Sequence, residues 1–296
     1  MEVGLAQLPE NQQAIDELIE AIGQAEGHPA IGEHKYLALH RPQSGVAGVA
    51  LWDDDQIVGF APVARDGAGR HVTELVVLPN HRRAPVYHLL LERATELARS
   101  EGGFALRVWV FHPGIVSVAI KLGFAEERQL LRLNLDLPVA EVPDYPEEIR
   151  VAPFRPGVDE DEWIRLNQLA FARHPENGTW GKAELAERME QEWFAPDRLI
   201  MAWKGERLVG FNWLKSVDGQ GEIYVIAVDP ALQGGGLGRA LILDGIQRLT
   251  ALGCAQACLY VDADNHRALR LYRSLGFYLD YVDQTLIRSI TPSNLI

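Results

Sequence analysis

Four glycines, at positions 234–236 and 238, stand where an apolar segment gives way to a helical pattern. The segment before them, residues 223–228, is rich in Ile and Val, and apolar residues recur at helical spacing after them. A strand that feeds a helix through glycines presents several backbone N–H groups beside the positive end of the helix dipole. Such a turn suits a pyrophosphate, so we expect residues 233–239 to bind a nucleotide-bearing ligand.

Two common phosphate-binding loops do not fit this spacing. A P-loop needs Lys followed by Ser or Thr after its last glycine, whereas Arg239 follows Gly238. A dinucleotide fingerprint needs Gly or Ala at its third position, which here is Arg239 or Leu241, depending on the first glycine chosen. The pattern that remains is Gln233-x-x-Gly236-x-Gly238, and a glycine turn without a ligand is its alternative.

A second pattern follows about one βα unit later. Asn265 is placed to cap a helix whose apolar face includes Tyr272, and Gly276 ends that helix. The full pattern is Asn265-x-x-Ala268-x-x-Leu-Tyr272-x-x-Leu-Gly-Phe277. Two patterns in this order are far more specific than either alone.

The two patterns together resemble the acetyl-CoA-binding motifs of the GNAT N-acetyltransferase superfamily. The resemblance implies acetyl-CoA as co-substrate without a metal ion, and an α/β fold whose mixed sheet splays between its fourth and fifth strands to admit the pantetheine. By the same resemblance the coenzyme-binding residues are Ile226, Ala227, Val228, Gln233, Gly234, Gly235, Gly236, Leu237, Gly238, Arg239, Asn265, Arg267, Ala268 and Arg270.

The chain repeats itself at a shift of 151 positions. Residues 58–60 and 209–211 both read Val-Gly-Phe, and further identities follow at the same shift. We therefore predict two tandem GNAT domains, residues 1–137 and 150–296. Residues 138–149, which are rich in Pro and acidic side chains, are predicted to be a stiff exposed linker.

Only the second repeat keeps the glycines of the phosphate-binding pattern. Pro85 stands at the position of Gly236, and Tyr87 at that of Gly238, so the first loop lacks one amide donor and carries a bulky ring. The N-terminal loop is therefore predicted to be degenerate, and the C-terminal domain to be catalytic. Two equivalent active sites are the alternative.

Acetyl transfer to an amine requires a neutral amine for attack and a proton for the leaving thiolate. Glu222 is predicted to be the general base, because desolvation at a partly apolar sheet surface raises a carboxyl pKa. Strand alternation places it on the face of Tyr224 and Ile226. By family resemblance Tyr272 is the general acid beside the coenzyme sulfur, and the backbone of residues 226–228 polarises the acetyl carbonyl. A surface Glu and a core Tyr are the alternatives.

The acceptor is suggested by a narrower resemblance. Residues 171–178, 213–215, 221–230 and 259–265 resemble the mycothiol synthases, a tandem-domain branch of the superfamily. This implies direct acetylation of the cysteinyl amine of Cys-GlcN-inositol, the last step of mycothiol biosynthesis. It also implies that the residues contacting this substrate are Glu33, Glu176, Lys215, Glu222 and Tyr260. The alternatives are another amine (an aminoglycoside, a polyamine or a protein N-terminus) and a non-catalytic acyl-CoA sensor.

Composition argues against a nucleic-acid-binding protein and against a membrane protein. The 296 residues carry a formal net charge of −13, which disfavours nucleic acid as a partner. No segment approaches the ~18 apolar residues of a membrane helix, and the start lacks a signal-peptide pattern, so we expect a cytoplasmic protein. Cys254 and Cys258 read as structural thiols. Because the internal duplication supplies a pseudo-dimer, we expect a monomer.

Overall fold

The computed structural model describes residues 1–7, 10–26, 30–32, 36, 39–40, 47–66, 69–110, 113–172, 178 and 180–291. The chain divides into two compact units. The first consists of residues 1–129 together with residues 283–296, and the second of residues 130–282. Each unit contains its own apolar core.

The first unit is built on strands joined mostly by antiparallel pairing. Its strands are β1 (Glu2–Gln7), β2 (Ala47–Asp53), β3 (Gln56–Arg65), β4 (His71–Glu74), β5 (Val76–Val77) and β6 (Ala105–Val110). Its helices are α1 (Gln12–Glu26), α2 (Ala84–Ser100) and α3 (Pro113–Lys121). The strand order is β1-β2-β3-β4-β6, with β5 paired to β3, and β4 and β6 run parallel.

The second unit repeats this plan. Its strands are β7 (Ala125–Asp136, from Leu130 onward), β8 (Ile149–Pro153), β9 (Leu199–Lys204), β10 (Arg207–Val217), β11 (Gln220–Val228) and β12 (Gln256–Asp262). Its helices are α4 (Glu160–Ala170), α5 (Lys182–Met189), α6 (Leu237–Ala251) and α7 (His266–Ser274). The order is β8-β9-β10-β11-β12-β7, with only β11 and β12 parallel. The mixed sheet confirms the predicted α/β fold class.

The last strand of each repeat pairs inside the unit that the other repeat mainly forms. Residues 130–136 of β7, which end the first repeat, pair with β12 of the second. The final strand, β13 (Tyr278–Ser289), pairs through residues 284–289 with β6 of the first. The compact units therefore divide the chain after Gln129 and Val282, at other residues than the repeat boundaries predicted at 137 and 150.

Residues 138–149 lie against the second unit through some of their side chains. The side chains of Val139 and Tyr145 lie against the core of the second unit. The Tyr145 hydroxyl donates to Asp244 Oδ2 on α6 at 2.9 Å. The sequence predicts a stiff exposed linker here, and residues 140–142 and 147–148 are indeed exposed, while Val139 and Tyr145 hold the segment against the second unit. This segment belongs structurally to the second unit.

Backbone hydrogen bonds repeat at the shift of 151 positions seen in the sequence. Leu78 N donates to Val58 O at 3.0 Å, and Asp229 N donates to Val209 O at 2.8 Å. Both bonds hold the residue that follows the strand before the turn, β5 in the first repeat and β11 in the second, against the third strand of the repeat. Since hydrogen bonds recur at the same shift as residue identities, the sequence repeat is also a repeat of the structure.

Among the residues that the structure describes, no helix has the length and apolar character needed to cross a membrane. Within the same residues, no group of three or more His, Cys, Asp or Glu side chains is placed to hold a metal ion.

Candidate acetyl-CoA and acceptor site

The glycine turn between β11 and α6 is open and rich in amide donors. Gly236, the N-cap of α6, has a φ of 85°, a left-handed value that favours glycine. No heavy atom of the described residues lies within 4 Å of a Cβ built there. The first helical hydrogen bond runs from Ala240 N to Gly236 O at 3.1 Å. The amides of residues 237–239 therefore precede the helical ladder and face outward at the helix start.

This turn fits a pyrophosphate. Residues 233–236 are exposed, so an anion can reach their amides as well as the helix N-terminus. A Cβ on Gly238 would make only ordinary contacts, at 3.7 Å from Val228 Cγ2 and 3.8 Å from Leu271 Cδ2. Of the two motif glycines, Gly236 is thus the one that backbone conformation requires.

The equivalent turn of the first unit offers fewer such donors. Pro85 stands at the position of Gly236 and lacks an N–H. The amides of Val86 and Tyr87 both donate to Arg83 O, at 2.9 and 3.2 Å. Because α2 begins at Ala84, earlier than α6 does in its repeat, its first turn uses internally the amides that α6 leaves available. The Tyr87 ring is buried in the core of its unit.

Strands β11 and β12 separate next to the turn. Their parallel pairing covers residues 220–222 of β11 and ends where Glu222 meets Cys258, although both strands continue. These are the fourth and fifth strands of the repeat, as the family resemblance implies. The edge of β11 from Ile223 to Val228, which includes the predicted pantetheine contacts, therefore lies beside the gap.

Two arginines predicted to bind the coenzyme are placed differently. Arg267 Nη1 donates to Gln233 Oε1 at 2.8 Å, so its guanidinium lies against the turn while bound to an uncharged amide. Arg239 instead donates from Nε and Nη2 to both carboxylate oxygens of Glu141, at 2.7 and 2.6 Å. This contact lowers the pKa of the Glu141 carboxyl. The charge of Arg239 is largely neutralised, whereas that of Arg267 is directed at the turn.

The remaining coenzyme residues lie at the start of α7. Asn265 caps this helix as predicted, because its side chain accepts a hydrogen bond of 3.1 Å from Ala268 N. The Ala268 amide is therefore engaged within the helix. Arg270 is exposed on the same helix.

Tyr272 lies on the buried face of α7. Its side chain is part of the core of the second unit, and its ring meets Phe277 edge to face at 5.7 Å between centroids. Burial raises the pKa of its phenol to about 12. The hydroxyl therefore stays protonated at neutral pH and can act only as a donor or a neutral acceptor.

Glu222 belongs to a row of polar side chains that crosses four strands. Directly paired residues place Lys215, Glu222, Cys258 and Asn134 side by side, on β10, β11, β12 and β7. Burial, with a smaller contribution from the Glu222 carboxylate, raises the pKa of the Cys258 thiol to about 11. Cys258 is thus a protonated neighbour of the predicted base and unsuited to be a nucleophile.

A β-bulge changes the predicted orientation of β11. The register with β10 shifts between Trp213, which pairs with Val225, and Leu214, which pairs with Ile223, so Tyr224 is the extra residue of the bulge. Simple alternation puts Tyr224 and Ile226 on one face, but this is wrong. Tyr224 packs with the tryptophans of the second unit, whereas Ile226 packs against the core beneath α6. The extra residue of the bulge reverses the faces after position 224.

These features, a splayed parallel pair beside an amide-rich turn, match what comparison with known proteins finds. The family model of the acetyltransferase (GNAT) family matches residues 12–124 and 161–277, one match in each repeat. The chain belongs to the GNAT acetyltransferase family. It is therefore an N-acetyltransferase with tandem GNAT repeats, and GNAT acetyltransferases use acetyl-CoA.

Similar proteins support the tandem arrangement. A mycothiol acetyltransferase of Thermobispora bispora is 37% identical over 286 residues, which cover 93% of this chain and 95% of that protein. A mycothiol acetyltransferase of Kineococcus radiotolerans is 38% identical over 272 residues, covering 89% and 88%. A solved tandem GNAT protein from the clavulanic acid biosynthesis pathway has a TM-score of 0.77 at 17% identity, covering 99% of this chain and 100% of that chain. The last comparison shows the fold alone.

Aromatic side chains surround Lys215 in this GNAT acetyltransferase, and they include tryptophans that the sequence indicates as core or pocket wall. Lys215 Nζ lies 5.1 Å from the centroid of the Trp193 ring and 5.6 Å from that of Tyr224. The Tyr224 hydroxyl accepts a hydrogen bond of 2.9 Å from Arg188 Nε. Arg188 is 1% exposed and its guanidinium stacks on Trp180 at 3.7 Å. Burying a cation costs desolvation energy, and the contacts of the Arg188 guanidinium with Tyr224 and Trp180 offset that cost.

Three of the predicted acceptor contacts can be placed in this GNAT fold. Lys215 and Glu222 are direct neighbours in the polar row. Tyr260 is exposed on β12, and its hydroxyl lies 3.1 Å from that of Tyr281. Glu33 and Glu176 lie outside the described residues.

The two arginines give a first prediction. Replacing Arg267 with Gln should weaken acetyl-CoA binding about 5-fold, because it removes an exposed cation directed at the phosphates. Arg239→Gln should weaken binding less, since Glu141 already neutralises that charge. Calorimetric titration of acetyl-CoA at low and high salt would measure both, and the difference should shrink at high salt.

Arg273→Gln, at the far end of α7, is the matched control and should leave the affinity unchanged. A larger effect for Arg239 than for Arg267 would contradict this placement of charge.

Proposed function

We propose that the second unit transfers the acetyl group of acetyl-CoA directly to the cysteinyl amine of Cys-GlcN-inositol, the last step of mycothiol biosynthesis. The observation that carries this proposal is the identity of 37% and 38% to two mycothiol acetyltransferases over most of both chains. The charged pair Lys215 and Glu222 at the splay of the sheet supports it, because a carboxylate suits a cationic amine and a lysine suits hydroxyl groups.

The residues of the second unit divide the work as follows. The amides of residues 234–239 and the dipole of α6 hold the pyrophosphate, and the exposed edge of β11 holds the pantetheine and polarises the acetyl carbonyl. Glu222 removes a proton from the ammonium, directly or through water, so that the neutral nitrogen can attack. An α-amine has a pKa of about 8, so this deprotonation is easier than for a lysine.

Tyr272 acts on the leaving group. As the new C–N bond forms and the C–S bond breaks, negative charge develops on the coenzyme sulfur. A phenol with a pKa of about 12 is a weaker acid than a thiol, whose pKa is about 8.5. We therefore expect Tyr272 to donate a hydrogen bond that strengthens with the charge, and any proton it gives is replaced from solvent.

The first unit is proposed to bind no coenzyme. Its turn lacks the amide at Pro85 and uses those of the next two residues internally. The counterpart of Glu222 is His71, which is fully buried and lies 2.9 Å from a carboxylate oxygen of Glu101. Neither the phosphate site nor the base position is available there.

An acceptor panel tests the proposed function. The enzyme is incubated with acetyl-CoA and Cys-GlcN-inositol, an aminoglycoside, a polyamine or a peptide with a free N-terminus. Because the expected acceptor carries its own thiol, mass spectrometry of the product is a cleaner readout than thiol release. We expect an acetyl group on Cys-GlcN-inositol at a kcat/KM of about 10⁴ M⁻¹s⁻¹ or more.

The N-acetylated form of the same conjugate is the control and should gain no second acetyl group. Acetylation of another amine in the panel, with none on Cys-GlcN-inositol, would overturn the acceptor but not the acetyltransferase activity.

A further inference from the structure

A second group of polar residues adjoins the Glu222 row in the second unit. Arg132 on β7 is the direct pairing partner of Tyr260 on β12, so their side chains share one face of the sheet. The Arg132 guanidinium lies over the ring of Tyr281, 5.4 Å from its centroid, and is paired with Asp280. The Tyr281 hydroxyl lies 3.1 Å from the Tyr260 hydroxyl. Contacts thus run from Arg132 to Tyr281 and from Tyr281 to Tyr260.

This group faces the acceptor side of the site. Cys258 and Tyr260 are two residues apart on β12 and therefore point to the same face. Cys258 is the pairing partner of Glu222, the proposed base, so Tyr260 lies two residues further along β12 from that partner. Tyr260 is therefore placed to meet another part of an acceptor whose amine lies at Glu222.

Tyr260 needs external support to hold a fixed position. Its side chain is 39% exposed, and an exposed ring on a strand can change rotamer unless neighbours restrain it. Here the hydroxyl of Tyr281 restrains its tip, and Arg132 in turn restrains the Tyr281 ring from one face. A phenol held in this way recognises a hydroxyl group at lower entropic cost than a mobile one.

We propose that Tyr281 and Arg132 are positioning residues that fix Tyr260 for recognition of the hydroxyl-bearing part of the acceptor. The inference rests on the proposed function, which supplies an acceptor with a cysteinyl amine at one end and a polyol at the other. It assigns a role in acceptor specificity to β7, a strand that the first sequence repeat contributes.

A double-mutant cycle tests the proposal. The variants are Tyr260→Phe, Tyr281→Phe and the two combined, each of which keeps the ring and removes only a hydroxyl. We expect each single variant to raise the KM for Cys-GlcN-inositol about 10-fold, with kcat and the KM for acetyl-CoA nearly unchanged. The double variant should be no worse than Tyr260→Phe alone, because Tyr281 acts through Tyr260.

Two further variants sharpen the outcome. Tyr278→Phe is the matched control: it lies on the same strand, but its hydroxyl donates to Asp136 Oδ1 at 3.1 Å, so its KM for the acceptor should stay at the wild-type value. Arg132→Lys keeps the charge without the planar stack and should share the KM effect of Tyr281→Phe. L-cysteinamide, an acceptor without a polyol, should show no KM change in any variant.

The outcomes separate this inference from the proposed function. If the wild-type enzyme does not acetylate Cys-GlcN-inositol, both fall. If it does, and Tyr281→Phe behaves like Tyr278→Phe or its effect adds to that of Tyr260→Phe, only the positioning role is overturned. Equal KM increases for Cys-GlcN-inositol and L-cysteinamide would also overturn it.

Discussion

Replacing Gly236 with Pro is expected to abolish acetyl-CoA binding, with a loss of affinity of at least about 100-fold. Proline cannot adopt the φ of 85° found at this position, and it removes the amide N–H. The turn would then resemble that of the first unit, where Pro85 precedes amides already bonded to Arg83 O. Calorimetric titration of acetyl-CoA into the full-length protein measures the loss.

Gly235→Ala is the matched control for this substitution. Gly235 does not have a positive φ, and a Cβ there would lie 3.6 Å from Leu232 O, an ordinary contact. Its affinity should stay within about 2-fold of the wild-type value, and thermal unfolding of both variants would show whether the second unit remains folded. A folded Gly236→Pro variant that still binds acetyl-CoA would refute the assignment of the turn.

Replacing Glu222 with Gln should lower kcat about 1,000-fold while leaving the affinity for acetyl-CoA nearly unchanged. The amide keeps the size of the side chain and its place beside Lys215 and Cys258, but it cannot accept a proton. The expected loss should diminish as pH rises through the pKa of the acceptor amine, because the neutral amine then forms without a base. Steady-state kinetics from neutral to alkaline pH would measure it.

Glu206→Gln, on the exposed turn between β9 and β10, controls for the loss of one negative charge and should leave kcat unchanged. Turnover of Glu222→Gln equal to that of this control would remove Glu222 from its proposed role, whatever the acceptor.

Much of the fold could be predicted because local signals and tertiary structure agree. Helix α6 begins at Leu237, directly after Gly236, and α7 begins after the Asn265 cap, both as the sequence predicts. The glycines force the turn and the side chain of Asn265 satisfies an orphan amide, so these boundaries depend only on nearby residues. The repeat could likewise be predicted, since identities at one constant shift imply one fold twice.

The acceptor surface could be predicted only in part. The family resemblance points to Lys215 and Glu222, but the bulge at Tyr224 depends on how β10 and β11 twist together, which no local pattern encodes. Arg188 looks like any surface residue of an amphipathic helix, yet tertiary packing buries it against Trp180. The role proposed for Arg132 could not be predicted for another reason. Arg132 belongs to the first repeat of the sequence but to the second unit of the structure.

The exchange of final strands makes the second unit depend on the first repeat. Leu133 and Leu135 of β7 are almost fully buried in the core of the second unit, and β7 covers the outer edge of β12. Deleting the first repeat would remove these leucines and leave a bare sheet edge open to aggregation. The second unit therefore depends on the first repeat for this strand, whichever chemical groups the first repeat keeps.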